Sequence, residues 1–86
     1  MQLEQEGLGP VINRIKRAQG QLGGVLRLLE EGRDCEDVVT QLAAVSKALD
    51  RAGFAIVARG LQQCLTAEEP QEMDVKKMEK LFLSLA

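Results

Sequence analysis

Apolar residues recur at spacings of three and four along most of the chain, which is the pattern of amphipathic α-helices. The first such stretch runs from about Pro10, a residue that suits the first turn of a helix, to Glu31. Its apolar positions are Val11, Ile12, Ile15, Leu22, Val25, Leu26 and Leu29. Gly20, Gly23 and Gly24 lie within it, and each lowers helix stability by about 0.5–1 kcal/mol relative to alanine. We expect one helix whose backbone approaches a neighbour closely; the alternative is a break into two helices.

A second and longer amphipathic stretch follows Gly32, which ends the first helix, and Asp34, which is a good N-cap. It continues to about Cys64 without a proline, and its apolar positions are Val38, Leu42, Val45, Leu49, Ala52, Ile56, Val57 and Leu61. The segment TAEEPQE predicts a loop, and a third, short helix starts at Pro70 or just after it. The apolar side of that helix holds Met73, Val75, Met78, Leu81, Phe82 and Leu85. Residues 1–8 lack this pattern, and we expect a loose N-terminal arm there.

Length and composition predict one small all-α domain over residues 1–86, with two long helices and one short helix. The chain has no Trp, no Tyr and two Phe, so a single copy has little material for a core. We therefore expect the long helices to pack against a second copy, most simply as a four-helix bundle. No stretch is long enough to span a membrane, and the N-terminus does not have the pattern of a secretory signal. We expect a cytoplasmic protein with no membrane partner.

Several chemistries are excluded by what the sequence lacks. The chain has no His, which excludes a His-based catalytic triad, a His-ligated zinc ion and a His pH switch. The shortage of aromatic residues nearly excludes base stacking, the usual means of binding single-stranded nucleic acid. No acid/base pair or nucleophile/base pair can be assembled, so we expect neither an enzyme nor a resident cofactor.

The two cysteines, Cys35 and Cys64, lie 29 positions apart on the second predicted helix. This spacing puts both on one helix face and roughly 43 Å apart along it, whereas a disulfide needs Cα atoms within about 7 Å. In an antiparallel pair of chains, Cys35 of one chain would lie beside Cys64 of the other and form a two-thiol site. The alternative is that both are small buried core residues. The helix N-terminus favours a thiolate at Cys35, but three neighbouring acids oppose it, and the sequence leaves the balance open.

The net charge of −2 conceals an uneven distribution, because no acidic residue occurs between Gly7 and Leu29. Arg14, Arg17 and Gln21 share one face of the first helix at spacings of three and four. Basic groups bind phosphates and glutamine reaches base edges, so this face predicts a surface for duplex DNA. The alternative is a solvated helix face. The candidate DNA-binding residues, with one from the second helix, are Arg14, Lys16, Arg17, Gln21 and Arg51.

The segment NRIKRAQGQLGGVLRLLEEGRDCEDVVTQLAAVSKALDRAG and the following GLQQC resemble the copper-sensing and nickel-sensing repressor family (CsoR/RcnR-like). The resemblance covers roughly Pro10 to Leu65. It implies an all-helical dimer of antiparallel dimers that binds operator DNA when its sensor site is empty. It places Cys35 and Cys64 of opposite chains in that site, and Arg14 and Arg51 at the DNA together with Lys16 and Arg17.

The chain departs from the copper sensors at two positions of this pattern. Gly60 stands where those sensors carry a His one turn before the last Cys, and Asp34 stands where a Tyr flanks the first. A His-less pattern with two cysteines is similar to the persulfide-sensing branch (CstR-like), in which reactive sulfur species bridge the thiols across the dimer and lift repression. We expect this inducer and no bound metal. The alternatives are a Cu(I)-responsive repressor that uses Cys35 and Cys64 as metal ligands, and a plain helical interaction module.

Overall fold

The computed structural model describes residues 2–67 and 75–86, which form three helices and no strand. α1 spans Gly9–Glu30, α2 spans Cys35–Thr66 and α3 spans Val75–Leu85. α1 and α2 form an antiparallel hairpin that pairs the start of α1 with the end of α2, and α3 packs on α2. The predicted all-α fold, with two long helices and one short one, is confirmed.

The three glycines inside α1 do not interrupt it, so the predicted single helix is confirmed and the two-helix alternative is wrong. A Cβ placed on Gly20 or Gly23 would meet nothing within 4 Å. Among the described residues, the close approach that we expected at these glycines is therefore not made. The predicted start of α3 at or just after Pro70, like Met73, lies outside the described residues.

The turn between the long helices uses a left-handed glycine. Gly32 has φ +67°, and the next amide, that of Arg33, donates to the carbonyl of Leu28 at 3.0 Å. This is the backbone conformation that glycine adopts more readily than any other residue at a helix C-terminus. Asp34 occupies the predicted N-cap position of α2, although its side chain makes no capping hydrogen bond.

The core of the hairpin is a narrow seam of small side chains. Ala18 and Val25 of α1 are buried, as are Val45 and Ala52 of α2, and Ala52 is fully inaccessible to solvent. Large apolar side chains flank this seam but stay exposed, and those on the long helices are Ile12, Ile15, Leu22, Leu26, Leu29, Val39, Leu42, Leu49 and Leu65. A layer of two helices cannot cover both of its own faces, which is a physical reason to expect a second copy. The assembly itself stays a prediction.

α3 docks on the C-terminal half of α2 through one aromatic pair and one glycine. The rings of Phe54 and Phe82 meet edge to face with centroids 5.1 Å apart. Leu85 lies over Gly53, where a Cβ would come within 2.7 Å of its Cδ2 atom. None of the three helices, over the residues described, combines the length and apolarity needed to cross a bilayer.

The N-terminal arm differs from the loose segment that the sequence predicts. Residues 2–8 are irregular and mostly exposed, but the side chain of Gln63 holds them against α2. Gln63 Oε1 accepts from the Glu4 amide at 2.9 Å, and its Nε2 donates to the carbonyls of Glu4 (3.1 Å) and Glu6 (3.2 Å). Gly7 turns the chain into α1 with φ +79°. These contacts join residues that are nearly 60 positions apart, and periodicity along the chain carries no signal for them.

The seam predicts a clear difference between two alanines of α2. Ala52→Leu forces extra volume into a fully buried site, and overpacking of this kind lowers the free energy of unfolding by about 1–3 kcal/mol. Ala44→Leu is the matched control, because Ala44 is exposed and surface substitutions change stability by about 0.5 kcal/mol or less. Thermal unfolding at equal protein concentration should show a melting temperature several degrees lower for the first variant alone. Equal melting temperatures would contradict the packing described here.

Candidate functional site

Four of the five predicted DNA-binding residues lie around one groove. Arg14, Arg17 and Gln21 line it from α1, and Arg51 lines it from α2. Its floor is made by two alanines, Ala18 and Ala48, whose short side chains leave an open volume of about 190 Å³ between the longer ones. We call this surface the arginine groove.

Lys16 is not part of the arginine groove. It lies at the rim of an apolar hollow formed mainly by Leu3, Leu8, Val11, Ile12, Ile15 and Ile56. The reason is helical periodicity, because Lys16 is about 200° around α1 from Arg14 and about 100° from Arg17. The structure therefore separates Lys16 from the other candidates, and its role at DNA stays a prediction.

The charge of the arginine groove is not neutralised within the described part of the chain. Among the described residues, an ion pair joins Arg33 to Glu31 at 3.8 Å in the turn between α1 and α2, far from the groove. Both of its side chains are more than half exposed. α1 contains no acidic residue before Glu30. A concave surface lined by three positively charged arginines attracts an anion more strongly than the net charge of −2 suggests.

The two cysteines lie at opposite ends of α2, and neither forms a disulfide in the single chain. Cys35 is the first residue of the helix and is exposed, whereas Cys64 lies near its end and is buried. Because α2 is unbroken between them, the two thiols are roughly 43 Å apart along its axis. Within residues 2–67 and 75–86, no three His, Cys, Asp or Glu side chains come close enough together to hold a metal ion. A site that uses both thiols needs a second chain.

A cavity of about 300 Å³ adjoins Cys64 between the N-terminal arm and the end of α2. Gly60 and Cys64 line it from α2, one turn apart, and Glu4 and Glu6 line it from the arm. Arg59 also reaches it, and its Nη1 donates to Gln62 Oε1 at 2.8 Å. The sequence did not predict that Arg59 and the N-terminal arm lie beside Cys64, because only the antiparallel hairpin brings the N-terminus to the last turns of α2.

A sequence model described as "Metal-sensitive transcriptional repressor" matches residues 9–84, which include α1, α2 and all of α3 except its last residue. The chain belongs to this family. Members of the metal-sensitive transcriptional repressor family are regulators of transcription and not enzymes, as the sequence predicts. The predicted CsoR/RcnR-like resemblance is confirmed at the level of the family.

Three similar proteins, two from Mycobacterium and one from Bacillus, show how far the sequence likeness extends. The copper-sensing transcriptional repressor CsoR of Mycobacterium ulcerans (strain Agy99) is 41% identical over 56 residues, which are 65% of this chain and 48% of that protein. The copper-sensing repressor RicR of Mycobacterium tuberculosis is 38% identical over 53 residues, or 62% and 55% of the two chains. YrkD of Bacillus subtilis, an uncharacterized protein, is 40% identical over 58 residues, which cover 67% of this chain and 92% of YrkD.

The chain thus spans about half the length of the curated copper sensors it matches. Their names state copper as the signal, and none of the three names mentions sulfur species. The comparisons therefore support the repressor family and favour the copper alternative over the persulfide-sensing branch that we expected from the missing His.

The separation of the thiols along one rigid helix predicts how they oxidise. Mild oxidation with diamide should convert the wild-type protein into a covalent dimer on a non-reducing gel, because the predicted antiparallel pair places Cys35 of one chain beside Cys64 of the other. Cys35→Ser and Cys64→Ser should each remain monomeric on the gel, since like thiols lie far apart in an antiparallel pair. A monomer in which both thiols are consumed would contradict the continuous helix, and efficient cross-linking of either variant would contradict the antiparallel pairing.

Proposed function

We propose that this protein is an operator-binding repressor whose two cysteines, Cys35 of one chain and Cys64 of its partner, form the effector site of an antiparallel dimer. The observation that carries the proposal is that α2 bears the two cysteines and Arg51 on different sides. The helix bears a thiol at each end of one face, and Arg51 on another side completes the arginine groove. One rigid element thereby belongs to both sites.

The arginine groove is the DNA-binding surface in this proposal. Arg14 and Arg17 lie one helical turn apart on α1, and their guanidinium groups line one side of the groove. Arg51 lines the other side. Guanidinium groups in such a fork bind phosphate oxygens in pairs, and Gln21 beside them can donate to and accept from a base edge. Each antiparallel dimer presents two such grooves, so a two-fold symmetric operator is the expected partner.

We propose Cu(I) as the effector. Thiolate is a soft ligand that suits Cu(I), and two thiolates from two chains make a sufficient donor set without any His. The relatives named as copper sensors support this choice. Binding requires both thiols to lose their protons. Because both thiolates would hold the same ion, binding would be strongest when Cys35 of one chain and Cys64 of its partner are close together. The arrangement that brings them together is then the one with lower affinity for DNA.

A second candidate, reactive sulfur, is favoured by one specific feature of this chain. Gly60, buried beside Cys64, has no side chain that could serve as a third ligand, and the sequence holds no His. In that chemistry one thiolate attacks a sulfane sulfur of a polysulfide, an S–S bond forms and a shorter polysulfide leaves. The partner thiolate then attacks the resulting persulfide, and a hydrosulfide ion leaves as the interchain bridge closes.

Either effector acts by shifting a population between two arrangements of the dimer. A coupling free energy of about 1–3 kcal/mol between the thiol site and the groove is typical of allosteric proteins and changes DNA affinity by about 5- to 150-fold. The path between the sites is short in this fold, because the arm that covers Cys64 leads through Gly7 directly into α1, which carries Arg14 and Arg17.

The groove makes a prediction about affinity and its dependence on salt. Arg14→Ala and Arg51→Ala should each weaken binding to a duplex that spans the protein's own promoter, and each should reduce the slope of log K against log salt by about two per dimer, which is about one for each of the two grooves. Lys80→Ala is the control, because it removes an exposed cation of α3 outside the groove and should leave both quantities unchanged. Fluorescence anisotropy over a salt series measures both. Wild-type slopes in both arginine variants would exclude the groove as the phosphate-binding surface.

The effector is tested on the same DNA complex. Cu(I) added without oxygen should release wild-type protein, whereas Cys35→Ser and Cys64→Ser should still bind DNA and resist release. Polysulfide is added to a parallel sample, and non-reducing mass spectrometry detects a sulfur bridge. Release by polysulfide alone would replace Cu(I) by the second candidate. Undiminished release of both cysteine variants by either compound would refute the thiol site altogether.

A further inference from the structure

The cavity beside Cys64 has a feature that the proposed function leaves unexplained. Arg59 is half-buried on the same side of α2 as the arm, and its Nε atom is inaccessible to solvent with no hydrogen-bond acceptor in range among the described residues. Buried donors in native proteins are nearly always paired, because an unmade hydrogen bond costs about 1–3 kcal/mol. Arg59 and Cys64 line the same cavity of about 300 Å³, so the positive charge of Arg59 lies beside that cavity, although a ligand there does not reach the covered Nε atom itself.

The guanidinium of Arg59 is held in place on two sides. Its Nη1 donates to Gln62 Oε1 at 2.8 Å, and its Nη2 lies so close to Gly7 that a Cβ at that position would overlap it. Gly7 also has φ +79°, so any other residue there would be strained as well as crowded. A cation that is fixed before its ligand arrives loses little side-chain entropy when it binds.

We propose that Arg59 makes this cavity a binding site for small anions and that it directs anionic sulfur compounds to Cys64. This inference rests on the proposed function, because it names the form in which an effector reaches the thiol: as an anionic low-molecular-weight thiolate complex of Cu(I), or as a polysulfide anion. Both carry the same chemistry, a soft sulfur atom on a negatively charged molecule of a size that the cavity holds.

The two thiols of the chain have different electrostatic surroundings. Cys35 lies in the sequence RDCED, where three carboxylates surround it and the nearby cation, Arg33, pairs with Glu31 at 3.8 Å. Cys64 shares its cavity with Arg59, opposed by Glu4 and Glu6 of the arm. Those two residues are exposed, and it is their backbone atoms that Gln63 holds, so water screens their carboxylates more than it screens the half-buried guanidinium.

The test compares two alkylating reagents that differ mainly in charge, iodoacetate and iodoacetamide. With each, the thiolate forms an S–C bond and expels iodide. The full-length protein is used with one thiol at a time: Cys35→Ser reports on Cys64, and Cys64→Ser reports on Cys35. Mass spectrometry gives both rate constants. Their ratio cancels the accessibility of the thiol and its thiolate fraction, so a variant that merely loosens the arm raises both rates and leaves the ratio unchanged.

We expect the iodoacetate/iodoacetamide ratio to be about five-fold or more higher at Cys64 than at Cys35, the effect of one unit charge a few ångströms away in a watery site. Arg59→Gln in the Cys35→Ser protein should remove most of this preference, and Arg59→Lys should keep part of it. Lys47→Gln, an exposed cation of α2 that does not line the cavity, is the matched control and should leave the ratio unchanged. Glu4→Gln and Glu6→Gln should raise the ratio, and added salt should lower it.

Equal ratios at the two thiols, or a ratio at Cys64 that Arg59→Gln does not change, would overturn the proposal. So would a Cys64 thiol that neither reagent modifies in the native protein, because the cavity would then be closed to small molecules. The experiment requires neither DNA nor copper. Failure of the anion site therefore leaves the repressor proposal standing, and failure of the cysteine variants in the DNA assay leaves the charge preference measurable.

Discussion

The packing of α1 against α2 through small side chains is the constraint on which the rest of the structure depends. Ala18 and Val25 meet a complementary row of α2 that includes Val45 and Ala52, and alanine at half of these positions lets the two backbones run close together. This closeness lets Arg51 reach the same groove as Arg14, since a larger residue than Ala18 or Ala48 on the floor would fill it. It also brings residues 4–7 to the last turns of α2.

The same narrow seam explains why the single chain is incomplete. Burial of apolar surface stabilises a fold by about 25 cal/mol per Å², and the small side chains of the seam bury little of it. The large apolar side chains lie outside the seam. Leu42 and Leu49 fall on nearly the same line of α2 as the two cysteines, and both are exposed. Covering this line with a second copy of itself is a two-fold contact, and a two-fold contact that runs antiparallel places unlike ends of α2 together. The apolar surface and the thiol site thus call for the same assembly.

The sequence predicts the helices well because each is specified locally. Spacings of three and four fix α1 and α2, Gly32 supplies the left-handed turn between them, and the long uninterrupted pattern predicts a continuous α2. The arginine groove follows for the same reason, since helical angles place Arg14 and Arg17 on one side. The same angles put Lys16 on another side of α1, although it was predicted to lie at the DNA with Arg14 and Arg17. The contacts of Arg59 and Gln63 with the arm have no local signal, because they depend on where two helix ends meet.

Because the chain has no His, the proposed thiol site should differ in selectivity from a site with three side-chain ligands. A ligand side chain one turn before Cys64 would give one chain two ligands and strengthen metal binding. Gly60 occupies that position and contributes no ligand atom. With two thiolates only, affinity depends on the distance between two chains, so the dimer arrangement and the occupancy of the site are more strongly coupled. In our proposal, the space beside Gly60 and the cation at Arg59 then select the molecules that reach the thiol. Selectivity in such a site comes from access and charge as much as from ligand number.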